Sequence, residues 1–229
     1  MNAAVIVAAG RGTRMGLERN KVLAPLCGEP VIARTVRAFE RTGWFDGGIV
    51  VVTGACDLCE MKRILADAGL HAQVVLGGAD RQESVCRGLA ATNPEAKYVA
   101  IHDGARPLIL PEQVDEMVRL GRQTYAAAPA LPVTDTVKVA DTAGLVQSTP
   151  DRRTLFAVQT PQVFQANILK AALQSAIEAG AELTDDCSAV ERLGKEVYLA
   201  PGWRENIKIT TASDLTLAEA LLRERENRA

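Results

Sequence analysis

The chain opens on an unbroken apolar run, Ala3-Ala4-Val5-Ile6-Val7-Ala8-Ala9, that stops at Gly10. A run this short and continuous reads as a strand buried on both faces. Helical spacing follows over Pro30–Arg41, where Val31, Ile32, Val36 and Phe39 fall on one side. From there the pattern alternates. Gly48–Thr53, His71–Leu76, Tyr98–His102 and Tyr125–Leu131 read as further strands, with helices over Leu58–Ala68, Arg81–Ala91 and Pro111–Gln123 between them. The last helix begins with Pro at its first position, where a missing N–H costs nothing. Strands alternating with helices predict an α/β fold with a parallel sheet covered on both faces. In such sheets ligands sit outside the carboxyl ends of the strands. Chemistry is therefore expected after Ala9, Thr53, Leu76, His102 and Leu131.

The rhythm changes between Pro132 and Phe156. Val133–Ala140 alternates, Asp141-Thr142-Ala143-Gly144 reads as a turn, and Leu145–Thr149 returns. This predicts a β-hairpin inserted into the α/β domain. A two-stranded ribbon is marginal alone, so it must pack on something, and a partner subunit is a candidate. The α/β pattern then resumes with a helix over Asn167–Ala179, short strands over Glu196–Leu199 and Asn206–Thr210, and a closing helix over Ser213–Glu226 with Ser213 as its N-cap. Length points the same way. The chain has 229 residues, and at ~150 residues per domain this is roughly 1.5 domains. The pattern resolves that into a single domain over 1–229 with an arm at about 132–156.

Composition excludes several classes. Hydrophobic residues make up 48% and charged residues 24%, which is globular, and a net charge of −2 argues against a nucleic-acid or polybasic membrane binder. The Ala3–Ala9 run is too short to span a bilayer and has no basic segment before it, as a secretory leader would. The five cysteines are an odd, scattered set, which suggests reduced thiols in the cytoplasm. Cys56-Asp57-Leu58-Cys59 has CxxC spacing, but no second CxxC follows, and His71 and His102 complete no zinc-finger pattern. The pair reads as two incidental cysteines at a helix start.

Gly10-Arg11-Gly12-Thr13-Arg14-Met15-Gly16 leaves the first strand directly. Glycines there let backbone N–H groups curl around a phosphate. It is not a P-loop, because no Lys-Ser/Thr follows. It is not a dinucleotide-binding turn either, because Met15 replaces the third glycine and Val52-Thr53 offers no acidic residue at the end of the second strand. Arg14 and Lys21 beside the glycines suit a triphosphate, Arg as a bidentate partner and Lys as a movable point charge. By residue type alone, a surface turn with solvated cations is an equal reading.

This segment, with Pro25-Leu26-x-Gly28-x-Pro30, resembles the signature of sugar- and polyol-phosphate nucleotidyltransferases. Further motifs follow in order: His102-Asp103-Gly104-Ala105-Arg106-Pro107, Asp135-Thr136-Val137-Lys138, Gln159-Thr160-Pro161-Gln162, Leu183-Thr184-Asp185-Asp186 and Asn206-Ile207-Lys208-Ile209-Thr210. Together they resemble the 2-C-methyl-D-erythritol 4-phosphate cytidylyltransferases over residues 3 to about 222. Ribitol-5-phosphate cytidylyltransferases share much of the set and are the alternative. The chain departs from the family pattern at Val7, at Asn20-Lys21-Val22 where Pro-Lys-Gln is usual, and at Gly104 where Ala is usual.

The resemblance implies a Rossmann-like, mostly parallel sheet with helices on both faces and an inserted β-hairpin arm. It implies CTP and a polyol phosphate as substrates, Mg²⁺ carried mainly on the CTP phosphates with its protein ligands left open, and a homodimer through the arm. Arg14, Lys21 and Lys208 would be catalytic. Ala8, Ala9, Gly10, Gly12, Gly78, Asp80, Ser84 and Asp103 would hold the nucleotide. Asp103, Arg106, Thr136, Arg152, Thr160 and Thr184 would hold the acceptor, with Thr136 and Arg152 reaching across the dimer. Other readings stand beside these. Gly77-Gly78 could be an ordinary turn with an N-cap, Asp103 and Arg106 could simply form an ion pair, and Thr184 or Asp185 could only cap a helix. Lys208, pointing away from Ile207 and Ile209, could be solvated. His102 reads as a strand-end residue with a satisfied ring rather than as a general base.

Overall fold

The computed structural model describes residues 1–10 and 20–228. In chain order the elements are β1 (Asn2–Ala8), β2 (Pro25–Leu26), β3 (Glu29–Pro30), α1 (Val31–Glu40), β4 (Ile49–Thr53), α2 (Leu58–Asp67), β5 (Gln73–Leu76), α3 (Arg81–Ala90), β6 (Tyr98–Asp103) and α4 (Pro111–Thr124). They continue with β7 (Ala126–Pro132), β8 (Val139–Ala140), β9 (Val146–Ser148), β10 (Phe156–Val158), β11 (Gln162–Gln165), α5 (Ala166–Glu178), α6 (Asp186–Arg192), β12 (Tyr198–Pro201) and α7 (Ala212–Arg228).

β1 lies at the centre, parallel to β4 and β6, and β5 extends the sheet beside β4. The apolar run that reads as a central strand divides its side chains between two cores. Ala4, Ile6 and Ala8 face one, with Ile32, Val36 and Phe39 of α1 and Val114 and Met117 of α4. Val5 faces the other, with Val85 and Leu89 of α3 and Leu169 and Leu173 of α5. This is the period-two alternation of a strand covered on both sides. α3 packs so close that a Cβ at Gly88 would lie 2.4 Å from Val5 Cγ1 and 2.8 Å from Val52 Cγ2. Gly88→Ala is expected to cost about 1–3 kcal/mol by overpacking, read as a lower urea midpoint with an unchanged m-value.

The sheet departs from the expected run of parallel strands. β7 does not lie next to β6. β11 is inserted between them, antiparallel to both. Its two apolar residues serve opposite faces, Val163 in one core and Phe164 in the other. A strand with one residue per face leaves no periodicity to read. β10 and β11 share one edge of β7, and β12 runs parallel along the other. Between β10 and β11 the ladder breaks at Gln159–Pro161, which carries a cis Thr160–Pro161 bond. That break turns Thr160 toward the end of β6.

Two further expectations are corrected. Asn206–Thr210 is not a strand, because Ile209 N–H bonds to the Ala105 carbonyl of a turn, at 2.8 Å, rather than to a ladder. Ser213 lies inside α7 and is not its N-cap. Thr211 takes that place, its Oγ1 accepting from Asp214 N–H at 3.3 Å while Asp214 Oδ2 accepts from Thr211 N–H at 2.8 Å. This reciprocal pair satisfies two donors that Ser213 cannot reach. The Pro25…Pro30 motif folds as a hairpin of β2 and β3 whose turn residues, Cys27 and Gly28, have φ of 48° and 80°. Positive φ at both positions is the two-residue turn that matches strand twist, and it explains the glycine. The arm is present as the β8–β9 hairpin, closed by Asp141, with Leu145 and Val146 66% and 58% exposed. Among the described residues, no helix is long and apolar enough to cross a membrane.

Candidate active site

The carboxyl ends of β1, β5 and β6 meet on one side of the sheet, together with the Gln159–Thr160 break and the segment after β12. The end of β6, the Gln159–Thr160 break and the segment after β12 border a cleft of ≈ 440 Å³ lined by Arg81, Asp103, Arg106, Gln159, Thr160, Gln162, Thr184, Asp185 and Lys208, among others. A second groove of ≈ 510 Å³ lies at the opposite end, around Tyr125 and Gln165, where β6 begins. Its only charged lining residues are Lys195 and Glu196.

Asp103, the last residue of β6, is the electrostatic centre of the cleft. Lys208 Nζ sits 2.8 Å from its Oδ2 and Arg106 Nε 3.6 Å away. Burial pushes the Asp103 carboxyl up, but Lys208, Arg81 and Arg106 outweigh burial and bring it down to about 2. The ion pair foreseen as an alternative for Asp103 and Arg106 therefore exists, but as part of a cluster in which Lys208 is the nearer partner. Lys208 is neither fully solvated nor buried. Its side chain is 42% exposed, while Ile209 beside it is in the core.

Backbone contacts hold this turn. Gly104 N–H donates to Val7 O at 2.8 Å, and the buried Thr35 hydroxyl of α1 donates to Gly104 O at 3.0 Å. A Cβ at Gly104 would come within 3.0 Å of Ile32 Cδ1, so the departure from Ala here matches a tight contact. Arg106 Nη1 donates to Asn206 O at 2.7 Å, and Asn206 Nδ2 donates to Thr160 O at 2.9 Å. Asn206 is fully buried and stands two positions before Lys208, so it ties the β6 turn, the Thr160 break and the lysine segment together. Thr160 Oγ1 accepts from Asp103 N–H at 3.1 Å.

Across the cleft, Gly77 approaches β1 so closely that a Cβ would lie 2.9 Å from the Ala9 Cβ. Gly77 thus lies directly beside the end of β1. Ser84 Oγ accepts from Gly78 N–H and donates to Asp80 O, and Asp80 Oδ1 caps α3 through Glu83 N–H at 2.7 Å. The capped-turn reading of this motif is therefore present in the geometry. Arg81 carried no role in the sequence-based expectations, yet it lines the cleft and pairs at 2.7 Å with Asp186, which is 1% exposed. Burial pushes Asp186 upward, and Arg81 opposes that shift. Asp185 is the N-cap of α6 and also accepts from Gln162 Nε2 at 2.8 Å, which leaves Thr184 exposed at the rim.

Asn20, one of the departures, caps the short 3-10 turn Lys21–Leu23 that carries Lys21. Its Nδ2 donates to Ala8 O at 2.7 Å and to Asp57 Oδ2 at 2.9 Å, which anchors the lysine turn to the end of β1. Val22 is buried in the core. Ala8, Ala9 and Gly10 lie at that end of β1, whereas Gly12 and Arg14 lie outside the described residues. Thr136 and Arg152 are exposed on the arm and do not line the cleft, and Arg152 Nη1 donates to Thr134 O at 3.1 Å. Cys56 and Cys59 are exposed free thiols where α2 starts.

The profile of the 2-C-methyl-D-erythritol 4-phosphate cytidylyltransferases matches residues 2–224. This chain belongs to that family. The family protein of Caldanaerobacter subterraneus is 42% identical over 225 residues, covering 96% of this chain and 98% of the relative. That of Desulforamulus reducens is 43% identical over 226 residues, covering 97% and 96%. The crystal structure of 4-diphosphocytidyl-2C-methyl-D-erythritol synthase from Anaerococcus prevotii superimposes with a TM-score of 0.84 at 29% identity, covering 96% of this chain and 97% of that one. The family enzyme from Thermus thermophilus superimposes with a TM-score of 0.78 at 30% identity, covering 97% and 100%. The cytidylyltransferase likeness spans nearly the whole chain.

Proposed function

We propose that this chain transfers the cytidylyl group of CTP to 2-C-methyl-D-erythritol 4-phosphate, giving 4-diphosphocytidyl-2-C-methyl-D-erythritol and pyrophosphate. The observation that carries this reading is the family match over nearly the whole chain, on a cleft where Asp103, Arg106, Thr160, Thr184 and Lys208 meet. An acceptor phosphate oxygen attacks the α-phosphorus of CTP, the new P–O bond forms, and the bond to the β-phosphate breaks as pyrophosphate leaves. A phosphate monoester with a second pKa near 6 is largely a dianion at neutral pH, so no general base is required. The work is to bring two anions into line and to neutralise charge on the α-phosphate. Arg14, Lys21 and Lys208 take that part. Arg106 and Thr184 hold the acceptor, and Gly78, Asp80 and Ser84 border the base.

No trio of clustered metal ligands occurs among the described residues, and Asp103 is already bonded to Lys208. This donor set fits a Mg²⁺ that arrives on the triphosphate and takes at most one or two protein carboxylates, with Asp103 the residue placed to meet it. When bound, the ion supplies charge neutralisation of the phosphate oxygens. The exposed apolar side chains of the arm support packing against a second copy of the chain, which would bring Thr136 and Arg152 to the neighbouring cleft. Five free cysteines support a reducing, cytoplasmic setting.

The direct test is pyrophosphate release from CTP with the methylerythritol phosphate and, separately, with ribitol 5-phosphate, each with and without Mg²⁺. Turnover confined to the first acceptor in the presence of Mg²⁺ is expected. Preference for the ribitol phosphate would overturn the acceptor assignment. Arg152→Ala is expected to raise the acceptor KM about tenfold or more, the scale of a lost charge-assisted phosphate contact, while the CTP KM stays put. Initial-rate kinetics with each substrate varied in turn check this.

A further inference from the structure

One buried titratable side chain at the cleft has no part in the chemistry above. His102 is fully buried and directly precedes Asp103. Its Nδ1 lies 2.9 Å from Thr160 Oγ1 and its Nε2 3.4 Å from Arg106 O. The ring packs against Phe39 of α1, with centroids 4.9 Å apart.

The proton positions follow from counting donors. Asp103 N–H is an obligatory donor and gives its hydrogen to Thr160 Oγ1 at 3.1 Å. The Thr160 oxygen has a second lone pair, so the other ring nitrogen decides the direction. The Arg106 carbonyl can only accept, which puts the proton of a neutral ring on Nε2 and leaves Nδ1 bare to accept the threonine hydroxyl proton. An imidazolium would turn Nδ1 into a donor aimed at Thr160 Oγ1 and strand the hydroxyl proton. The charged groups around the ring are Asp103 and Arg106 on its own turn and Lys208 on the facing segment, while α1 presents the apolar Phe39.

We propose that His102 is a positioning residue for cytidylyl transfer: as a neutral acceptor it orients the Thr160 hydroxyl, which holds the main chain of Asp103 and so sets that carboxylate against the reacting phosphates. A misplacement of about 1 Å at a reacting centre can cost on the order of 100-fold in rate. The proposal rests on the cytidylyl-transfer reading of the cleft. Wild-type turnover with CTP and methylerythritol phosphate is therefore measured first, and failure of that reading appears there as no turnover at all.

The test compares His102→Asn, His102→Gln and His102→Leu. An Asn amide oxygen can stand where Nδ1 accepts, a Gln amide reaches only the Nε2 side, and Leu offers neither. His102→Asn is expected to keep kcat within about threefold of wild type, whereas His102→Gln and His102→Leu lose at least about tenfold with the CTP KM unchanged. If His102→Leu fails to fold, the Asn/Gln pair decides, because the two differ in where the amide sits. Wild-type kcat in His102→Gln, or equal losses in Asn and Gln, would each overturn the proposal.

Discussion

Lys208→Ala is expected to lower kcat by at least about 100-fold, the scale of one donor lost from the stabilisation of a charged transition state. Lys208 lies 2.8 Å from Asp103, nearer than Arg106, and its half-exposed side chain opens onto the cleft. Its backbone is held independently of its head group, by the buried Ile209 and by the Ile209 N–H bond to Ala105 O. Loss of the ammonium therefore removes charge from the site without unseating the segment. Steady-state kinetics under saturating CTP and acceptor, paired with a denaturant titration, separate the two effects. A near-normal kcat would remove Lys208 from the catalytic group. Lys21→Ala is expected to fall in the same range.

Arg81→Ala is expected to give the largest change in stability, a loss of about 3 kcal/mol at neutral pH, because it leaves the buried Asp186 carboxylate without its partner. Asp186 is 1% exposed, and the Arg81 guanidinium lies 2.7 Å from its Oδ2. Burial raises the Asp186 pKa even in the intact pair, and removing Arg81 raises it further. A carboxyl whose folded pKa lies above its unfolded value contributes stability below the unfolded pKa and loses it as pH rises. The stability gap between wild type and Arg81→Ala should therefore be small near pH 4 and widen toward pH 7. The double variant Arg81→Ala/Asp186→Asn should recover most of the loss, since a neutral amide carries no buried charge. Urea unfolding of all three proteins across that pH range checks the sign. A gap that does not change with pH, or no recovery in the double variant, would mean that the pair is not the source.

How much of this was readable in advance differs from residue to residue. The strands β1, β4 and β6 and the helices between them announce themselves, because a strand buried on both faces needs consecutive apolar residues and a covering helix needs an apolar stripe. β11 does not, since Val163 and Phe164 each serve a different core and two residues make no period. Asp103, Arg106 and Lys208 are placed in the sequence by motif and position, and they do meet. Arg81, Gln162 and Asn206 lie in or beside quoted motifs but look like ordinary polar residues. Their importance comes from partners distant in the chain, Asp186 for Arg81 and Thr160 for Asn206.

The sequence by itself determined the α/β class, the strand ends where ligands are expected, and the family. All of these depend on local pattern: periodicity, glycine at turns, cations next to them. Only the tertiary structure decided the order of strands in the sheet, the antiparallel insertion between β6 and β7, and the buried chain from His102 through Thr160 to Asp103. The reason is that hydrogen bonds between residues far apart in the chain depend on which surfaces pack together, and one-dimensional spacing carries no record of that packing.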